Sequence, residues 1–137
     1  MKEKFTIAKN AFVVIADGAK ANYYKNTEQN GVSLQKVGGI SMESQDHEGA
    51  SPTPVGTSPA EHNEAGFAKH IAKDLYDRAH KGEYETLVLV ADPQTLGQIR
   101  PSLHKEVLNR ITGELSKTLT NSSVADIEKS LSAANQG

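Results

Sequence analysis

Carboxylates at the ends of two apolar segments are the residues best suited to metal chemistry. Asp17 follows the apolar run 11–16, and Asp92 follows the apolar run 86–91. Glu64 lies in the first turns of a predicted helix. If the two runs are neighbouring strands, the three carboxylates approach one edge of a sheet, where they could hold two Mg²⁺ ions for a phosphodiester displacement. The pattern therefore allows a Mg²⁺-dependent nuclease with Asp17, Glu64 and Asp92 as ligands.

Each of these acids also has a sufficient structural explanation. Asp17-Gly18 is a common hairpin signal in which both positions take positive φ. Asp92-Pro93 is typical of a helix N-terminus, with the aspartate as N-cap. Glu61 is an alternative third carboxylate, and Asp126 is either a fourth ligand or a favourable charge in the first turn of the last helix. We favour the structural explanation and assign no metal.

The five histidines lack the spacing of a metal site. None forms an i, i+4 pair with a third ligand nearby, so we interpret them as solvated or helix-surface residues. They are His47, His62, His70, His80 and His104. The chain has no cysteine, no Gly-x-Ser-x-Gly motif and no Walker or dinucleotide-binding fingerprint. The sequence therefore predicts no cofactor.

Basic residues in the second half of the chain indicate a different chemistry. The candidates for a phosphate-binding face are Lys69, Lys73, Arg100, Lys105, Arg110 and Lys117. Lysines on helices point into solvent by default, and Asp74, Asp77 and Glu106 are interleaved with these cations. Phosphate binding and simple solvation therefore both remain open.

Composition separates an acidic segment from the rest of the chain. The 137 residues include 15 Lys and Arg against 17 Asp and Glu. Segment 41–66 holds five of those acids, three of the five prolines and no Lys or Arg. Such a segment has too few apolar residues for their burial to offset the entropic cost of ordering it. We therefore expect 43–57 to be a mobile loop between the third strand and the first helix. The remaining 111 residues, after these 26 are removed, carry a net charge of +3.

Several classes of protein are excluded by simple features. No apolar run approaches the roughly 18 residues that span a bilayer, and Met1–Lys4 lacks the apolar stretch of a signal peptide. The absence of cysteine excludes a disulfide framework. We therefore expect a single cytoplasmic domain over 1–137 with no membrane partner and with a frayed tail at 132–137. The sequence carries no signal for the oligomeric state.

Five segments predict strands. Two of them, 11–16 and 86–91, are nearly continuous apolar runs, which are typical of strands buried on both faces. The other three are more polar: 20–25, 32–40 and 111–119. Tyr23 and Tyr24 point to opposite faces of their strand, so we expect one in the core and the other exposed.

Capping residues mark the helices. Ser58–Glu61 is a capping box, and an apolar stripe with helical spacing follows it until Gly82, which we expect to end the helix. The stripe consists of Ala68, Ile71, Ala72, Leu75 and Ala79. Asp92-Pro93 begins a second helix that Pro101 interrupts and that resumes over 102–109. Ser122 or Ser123 caps a last helix.

The element order βββαβαβα predicts a mixed α+β fold. A strand meander followed by helix-linked strands gives a sheet that is antiparallel at one edge and parallel through its crossovers. The two apolar strands belong in its middle, which gives a five-stranded sheet of order 3-2-1-4-5 with helices on its faces. This is the ribonuclease H-like topology.

Four segments together resemble the bacterial host attachment protein family. Ala16–Ala21 resembles its A-D-G-A-R/K-A opening, and Phe67–Ala72 resembles its F-A-R/K-x-I/L-A helix. Leu87–Arg100 resembles its L-V-L-V-A-x-P segment with the L-G-x-I/L-R that follows. Glu114–Thr120 resembles its E-L-x-K-D-L-T strand, with Thr118 in place of the aspartate. The motif residues matched in this way include Asp17, Gly18, Lys20, Phe67, Asp92, Pro93 and Gly97.

The resemblance implies a relationship to translation factors. Members of that family are grouped with bacterial proteins similar to the middle domain of archaeal and eukaryotic release factors, which implies the fold above and association with a ribosome or RNA. The family's name implies a role in attachment to host cells. Release in those factors depends on a Gly-Gly-Gln tripeptide before the first helix, whereas segment 41–66 contains none and Gly38-Gly39 is followed by Ile40. Peptidyl-tRNA hydrolysis is therefore not implied.

Three hypotheses about function follow. The first is a non-enzymatic cytoplasmic domain of the host attachment family that associates with the ribosome or with RNA through its basic residues. The second is the Mg²⁺-dependent nuclease. The third is an adaptor whose acidic loop, 43–57, binds a basic partner.

Overall fold

A computed structural model describes residues 7–29, 31–41 and 64–134 of the chain. The acidic loop predicted at 43–57 and the capping box at 58–61 lie outside these ranges. The strands are β1 (Phe12–Ala16), β2 (Lys20–Asn26), β3 (Leu34–Ser41), β4 (Leu87–Ala91) and β5 (Ile111–Ser116). The helices are α1 (Glu64–His80), α2 (Pro93–Ile99), α3 (Lys105–Leu108) and α4 (Val124–Ala134), with a 3-10 turn at Arg100–Ser102.

The five strands form one mixed sheet of order β3-β2-β1-β4-β5. β1 runs antiparallel to β2 and parallel to β4, with Ala16 opposite Ala91 at the shared carboxyl end. β3 and β5 form the two edges, antiparallel to β2 and parallel to β4 respectively. The predicted fold class and strand order are confirmed.

Helices cover both faces of the sheet. On one face, Phe12 and Val14 of β1 pack in a cluster with Ile71 and Leu75 of α1. Residues of α2, α3 and the segment between them complete this cluster: Ile99, Leu103 and Val107. On the other face, Val13 and Ile15 pack against Ile127 and Leu131 of α4. Every residue of β1 and β4 is therefore buried, as their apolar sequences predict.

The prediction that one of the two adjacent tyrosines is exposed is wrong. Tyr23 belongs to the cluster under α1, and Tyr24 belongs to the cluster under α4. Both are buried, with exposed fractions of 0% and 4%. Alternation along a strand separates the two side chains correctly, but an exposed face exists only where no helix covers the sheet.

The hairpin between β1 and β2 lies where predicted, but its turn is of a different kind. The backbone N–H of Asp17 donates to the carbonyl of Lys20 at 2.8 Å, so the turn runs from Asp17 to Lys20 with Gly18 and Ala19 at its tip. Among the described residues, Asn10 and Gly82 have positive φ, and Gly18 does not. The Asp17 carboxylate accepts two backbone N–H groups of the turn, which stabilises it without positive φ.

The turn after β2 is organised by a buried asparagine. The Asn26 side-chain amide donates to the carbonyls of Ala8, Glu28 and Gly31. Its oxygen accepts the backbone N–H of Ser33 at 2.9 Å. With 0% exposure, Asn26 is tolerated in the core because its polar atoms are hydrogen-bonded.

The apolar stripe of α1 is buried as predicted. Ile71 and Leu75 have no exposed surface, and each contributes about 1.5–3 kcal/mol by burial. Gly82, at φ 76°, ends the helix as expected, since its N–H donates to the carbonyl of Ala79 and the N–H of Glu83 donates to that of Arg78. The lysines between the stripe positions are left on the outer surface of the helix.

Pro101 interrupts the helical segment after β4 as predicted. α2 ends at Ile99, the 3-10 turn contains Pro101, and α3 is a single short helix that His104 caps. The His104 Nδ1 accepts the backbone N–H of Glu106 at 3.0 Å. The break turns the chain so that residues 101–104 lie opposite the outer surface of α1.

Several boundaries differ from the predictions: β3 spans Leu34–Ser41 rather than 32–40, and the helix after Pro101 spans Lys105–Leu108 rather than 102–109. β5 ends at Ser116 rather than Leu119, and Ser123 is the residue that caps α4. α4 continues through Ala134, whose side chain is buried, so 132–134 is helix rather than frayed tail. Residues 135–137 lie outside the described ranges. No helix in the described parts of the chain is long and apolar enough to cross a membrane.

Candidate nucleic-acid interface

The carboxylate of Asp17 is occupied by its own turn and by the loop after β5. It accepts the N–H groups of Ala19 and Lys20 at 2.7 and 2.8 Å and the hydroxyl of Thr120 at 2.7 Å. Burial acts to raise the pKa of Asp17, but the bonds from Thr120, Ala19 and Lys20 and the Lys20 charge outweigh it, so the pKa is lowered. This carboxylate holds the hairpin against the end of the sheet.

The carboxylate of Asp92 is occupied in the same way. It caps α2, accepting the backbone N–H of Thr95 at 3.1 Å and the Thr95 hydroxyl at 2.7 Å. Pro93 follows at the first helical position, where its missing N–H costs nothing. The N-cap prediction for Asp92 is confirmed.

The register places Asp17 and Asp92 after paired residues, Ala16 and Ala91, on neighbouring parallel strands. The third carboxylate of the nuclease hypothesis, Glu64, begins α1, and its side chain lies outside what the structure describes. Among the residues whose side chains are described, no group of three or more His, Asp or Glu could hold a metal ion. The three-carboxylate site stays a prediction.

A groove on the outer surface of α1 collects several of the basic and aromatic residues. Lys69, Lys73 and Tyr76 of α1 form one side of it. Pro101, Ser102 and His104 form the other. Its volume is about 480 Å³, within the range of sites for small organic groups. We call this feature the α1 groove.

Tyr76 forms the aromatic centre of the α1 groove. Its ring is half-buried and packs against the core cluster under α1. The ring centroid lies 4.4 Å from that of His104 and 5.8 Å from that of His80. Because Tyr76 is only half-buried and lines the groove, part of its ring is accessible to an aromatic ligand there.

The two lysines of the α1 groove carry exposed charges. Lys69 and Lys73 are one helical turn apart, so they lie on the same side of α1. Lys73 Nζ pairs with the Asp77 carboxylate at 3.1 Å, with side-chain exposures of 75% and 45%. Such an exposed i, i+4 pair is worth only about 0.3–0.5 kcal/mol, so a phosphate can displace it.

The other predicted basic residues do not line the α1 groove. Arg100 pairs with Glu114 of β5 at 2.9 Å and borders a separate depression of about 370 Å³. Arg110 donates to the carbonyl of Tyr84 and pairs with Glu106 at 3.4 Å. Lys105 is exposed beside His104, and Lys117 is exposed beyond the end of β5. The six cations therefore do not form one continuous set of groove residues.

The histidines within the described residues lie at the helix surface or a cap. His70 and His80 are exposed on α1, and His104 is the exposed N-cap of α3. His47 and His62 lie outside the described ranges. The function of His104 as a cap could not be read from the sequence, because it depends on where the helix resumes after Pro101.

The remaining motif residues also serve the fold. Lys20 donates from Nζ to Asn121 at 3.0 Å, which ties the hairpin to the loop before α4. Phe67 is buried in the cluster under α1 with an exposed fraction of 1%. Gly97 has open space around the position of a β-carbon, and nothing in the structure explains its glycine.

Gly38-Gly39 lies within β3, which ends at Ser41. A β-carbon at Gly39 would lie 2.7 Å from the carbonyl oxygen of Ala21, so the close approach of β2 and β3 requires glycine there. Gly39 therefore has a structural role in the sheet.

The resemblance of the motifs implied a relative of release factors, and the strand order agrees with the fold that this relationship implies. The model of bacterial archaeo-eukaryotic release factor family 12 matches residues 10–131. The chain belongs to this family. The match confirms the predicted relationship to release factors, and at that coarse level the protein is translation-related. None of the curated proteins compared with the chain matches it.

Membership of family 12 changes how the motif residues are interpreted. Asp17, Lys20, Phe67 and Asp92 build the hairpin, the core and a helix cap that the family fold needs. These four side chains therefore have structural roles in this fold. Few of the motif residues line the α1 groove, so the function of the groove has to be inferred from its own lining residues.

The sequence analysis missed the aromatic component of the α1 groove. Tyr76 lies three positions after Lys73, which places both on one side of a helix, and this spacing was available as a signal. The approach of His104 from the other side had no such signal, since it depends on the turn at Pro101.

Proposed function

We propose that this protein is a non-enzymatic binding domain that associates with the ribosome by contacting RNA through the α1 groove. The observation that carries the proposal is the pairing of two exposed lysines, Lys69 and Lys73, with the ring of Tyr76 in one groove. Lysine ammonium groups bind phosphate oxygens, and aromatic rings stack on bases. The relationship to release factors supports the proposal that this RNA belongs to, or is bound at, the ribosome.

The charge distribution supports an anionic partner. Outside the segment 41–66 the chain carries a net charge of +3, because that segment holds five acids and no Lys or Arg. The acid that pairs with Lys73, Asp77, is itself exposed and only weakly held. Binding RNA therefore requires little desolvation of existing ion pairs.

The proposal places the protein in the cytoplasm, where ribosomes are. The host attachment role implied by the family resemblance would then be a downstream effect of translation. The strand-end acids, Asp17 and Asp92, are hydrogen-bonded within the fold and serve no reaction in this proposal.

The test is co-sedimentation with ribosomes, together with anisotropy of a labelled single-stranded RNA, at several salt concentrations. The test variant is Lys69→Gln/Lys73→Gln. The matched control is Lys36→Gln/Lys129→Gln, which removes the same charge from exposed positions on β3 and α4. Both variants have the same net charge, so a difference in their RNA binding depends on where the two lysines were removed.

We expect the groove variant to bind RNA about tenfold more weakly than the control at low salt. The slope of log K against log salt is negative, and each phosphate contact on a single strand contributes about 0.7 to its magnitude. Losing two contacts should therefore reduce that magnitude by about 1.4. The control should keep the slope of the unaltered protein. Equal binding by the two variants would contradict the proposal.

A further inference from the structure

The α1 groove combines positive charge with an aromatic side chain, and this combination limits the class of ligand that the groove could bind. The ring of Tyr76 contacts the rings of His104, at 4.4 Å, and His80, at 5.8 Å, and also lines the groove. The groove walls beside it are apolar, from Ala72 and Pro101. Backbone phosphates alone would be served by lysines on a convex surface, whereas the ring and the apolar walls fit a flat, unsaturated ligand group as well.

The hydrogen bonding of His104 adds a donor to this surface. Its Nδ1 accepts the backbone N–H of Glu106 at 3.0 Å, so the proton of the neutral ring lies on Nε2. An Nε2–H at the groove can donate to a carbonyl oxygen or ring nitrogen at the edge of a base. The groove thus offers a stacking face and a hydrogen-bond donor in addition to its two ammonium groups.

Resting on the proposed function, we infer that the α1 groove binds one unstacked nucleobase of single-stranded RNA against Tyr76, with the flanking phosphates on Lys69 and Lys73. A base within a duplex has both faces covered by its neighbours and its edge paired, so it offers no face to Tyr76. A volume of about 480 Å³ accommodates a single base with its sugar. The ligand class is therefore single-stranded RNA rather than duplex RNA.

The experiment measures binding of the full chain to three labelled probes at low salt. They are a short single-stranded RNA, the same strand with its bases removed at successive abasic sites, and a duplex of the same length. The protein variants are Tyr76→Leu, which keeps apolar volume against the core, and Tyr76→Phe, which keeps the ring. Thermal melting of each variant shows whether it is folded.

We expect the unaltered protein to bind the intact strand about tenfold more tightly than the abasic strand, as for the loss of one stacked base. Tyr76→Leu should bind the intact strand as weakly as the unaltered protein binds the abasic strand, and it should not distinguish the two. Tyr76→Phe should bind within about twofold of the unaltered protein, because stacking needs the ring and not the hydroxyl.

Three outcomes would overturn the inference. They are equal binding of intact and abasic strands, equal binding of strand and duplex, and unchanged binding by a folded Tyr76→Leu variant. If Tyr76→Leu is unfolded, the abasic comparison on the unaltered protein decides alone.

Failure of the base site is distinguishable from failure of the proposed function. If Lys69→Gln/Lys73→Gln weakens binding and the base and ring changes do not, the groove binds RNA backbone only, and the inference alone fails. If neither the lysines nor the ring matter, or an acidic peptide binds as well as RNA, both fail.

Discussion

Asp17 and Asp92, at the carboxyl ends of β1 and β4, accept five hydrogen bonds between them from their own turn, a helix terminus and Thr120. Lys69 and Lys73, on the outer surface of α1, have one described side-chain partner between them, the exposed carboxylate of Asp77. The acids match the family motifs more conspicuously, yet their polar atoms are already used by the fold. In the proposed function, a partner is bound where polar groups are still available, at the α1 groove.

The largest expected effect on stability comes from removing a strand-end acid. Asp17→Ala leaves the hydroxyl of Thr120 and two backbone N–H groups without their acceptor, and Thr120 is buried. We expect a loss of about 2 kcal/mol in the free energy of unfolding, measured by urea denaturation. Binding of RNA by the folded fraction should not change, and a selective loss of binding would break the contrast between the two regions.

The matched control for that experiment is Glu85→Gln. Glu85 is an exposed acid beside β4, and removing its charge should change stability by less than about 0.5 kcal/mol. If both variants destabilise equally, overall charge and not the hydrogen bonding of Asp17 is responsible.

Asp92→Ala should have a smaller effect of the same kind. It removes the N-cap of α2, which typically costs about 1 kcal/mol. Asp92→Ser keeps a capping oxygen and should recover most of that loss in the same denaturation experiment. A variant that failed to recover would indicate a role for the carboxylate charge beyond the cap.

Removing the acid that pairs with Lys73 beside the groove should strengthen RNA binding. Asp77→Asn breaks an exposed pair with Lys73 and leaves the lysine free for phosphate. We expect a stability change below about 0.5 kcal/mol and RNA binding that is about twofold tighter at low salt, converging with the unaltered protein as salt rises. Weaker binding would show that the pair holds Lys73 in its binding position.

The smallest effect is a pH dependence assigned to Asp17. Its pKa in the folded protein is lowered from 3.8, so its contribution to stability is present above that pH and is lost as pH falls through the lowered pKa. The stability difference between the unaltered protein and Asp17→Asn should therefore shrink as the pH falls below about 4, through the lowered pKa of Asp17. A difference that stays constant over this range would show that the carboxylate charge is not what Thr120 and the turn recognise.

Much of the fold could be predicted because local signals agreed with the tertiary structure. The apolar runs of β1 and β4, the cap at Asp92 and the glycine at 82 each specify a local conformation, and together they left one simple strand order. The predictions were wrong where burial or backbone conformation depends on contacts that the local sequence pattern does not specify. Tyr24 is buried because α4 covers its face, and Gly18 avoids positive φ because Asp17 accepts the turn's N–H groups.

The candidate site could be predicted only in part for the same reason. Lys69 and Lys73 share a helix side with Tyr76, and their spacing alone relates them. The contact between Tyr76 and His104 joins α1 to a segment beyond Pro101, which no local pattern specifies. Arg100 looked equally suitable in sequence, but Glu114 of β5 holds its side chain elsewhere.

The parallel pairing at the centre of the sheet has a consequence for how the chain folds. β2 reaches β1 through a tight hairpin, but Phe12 pairs on its other side with Leu87, more than half the chain away. Contacts between distant segments form late, because closing the long intervening loop costs entropy before any pairing is gained. During synthesis the β1–β2 hairpin therefore keeps one apolar edge unpaired until Ala91 has left the ribosome, and an unpaired apolar edge of this kind is prone to aggregation.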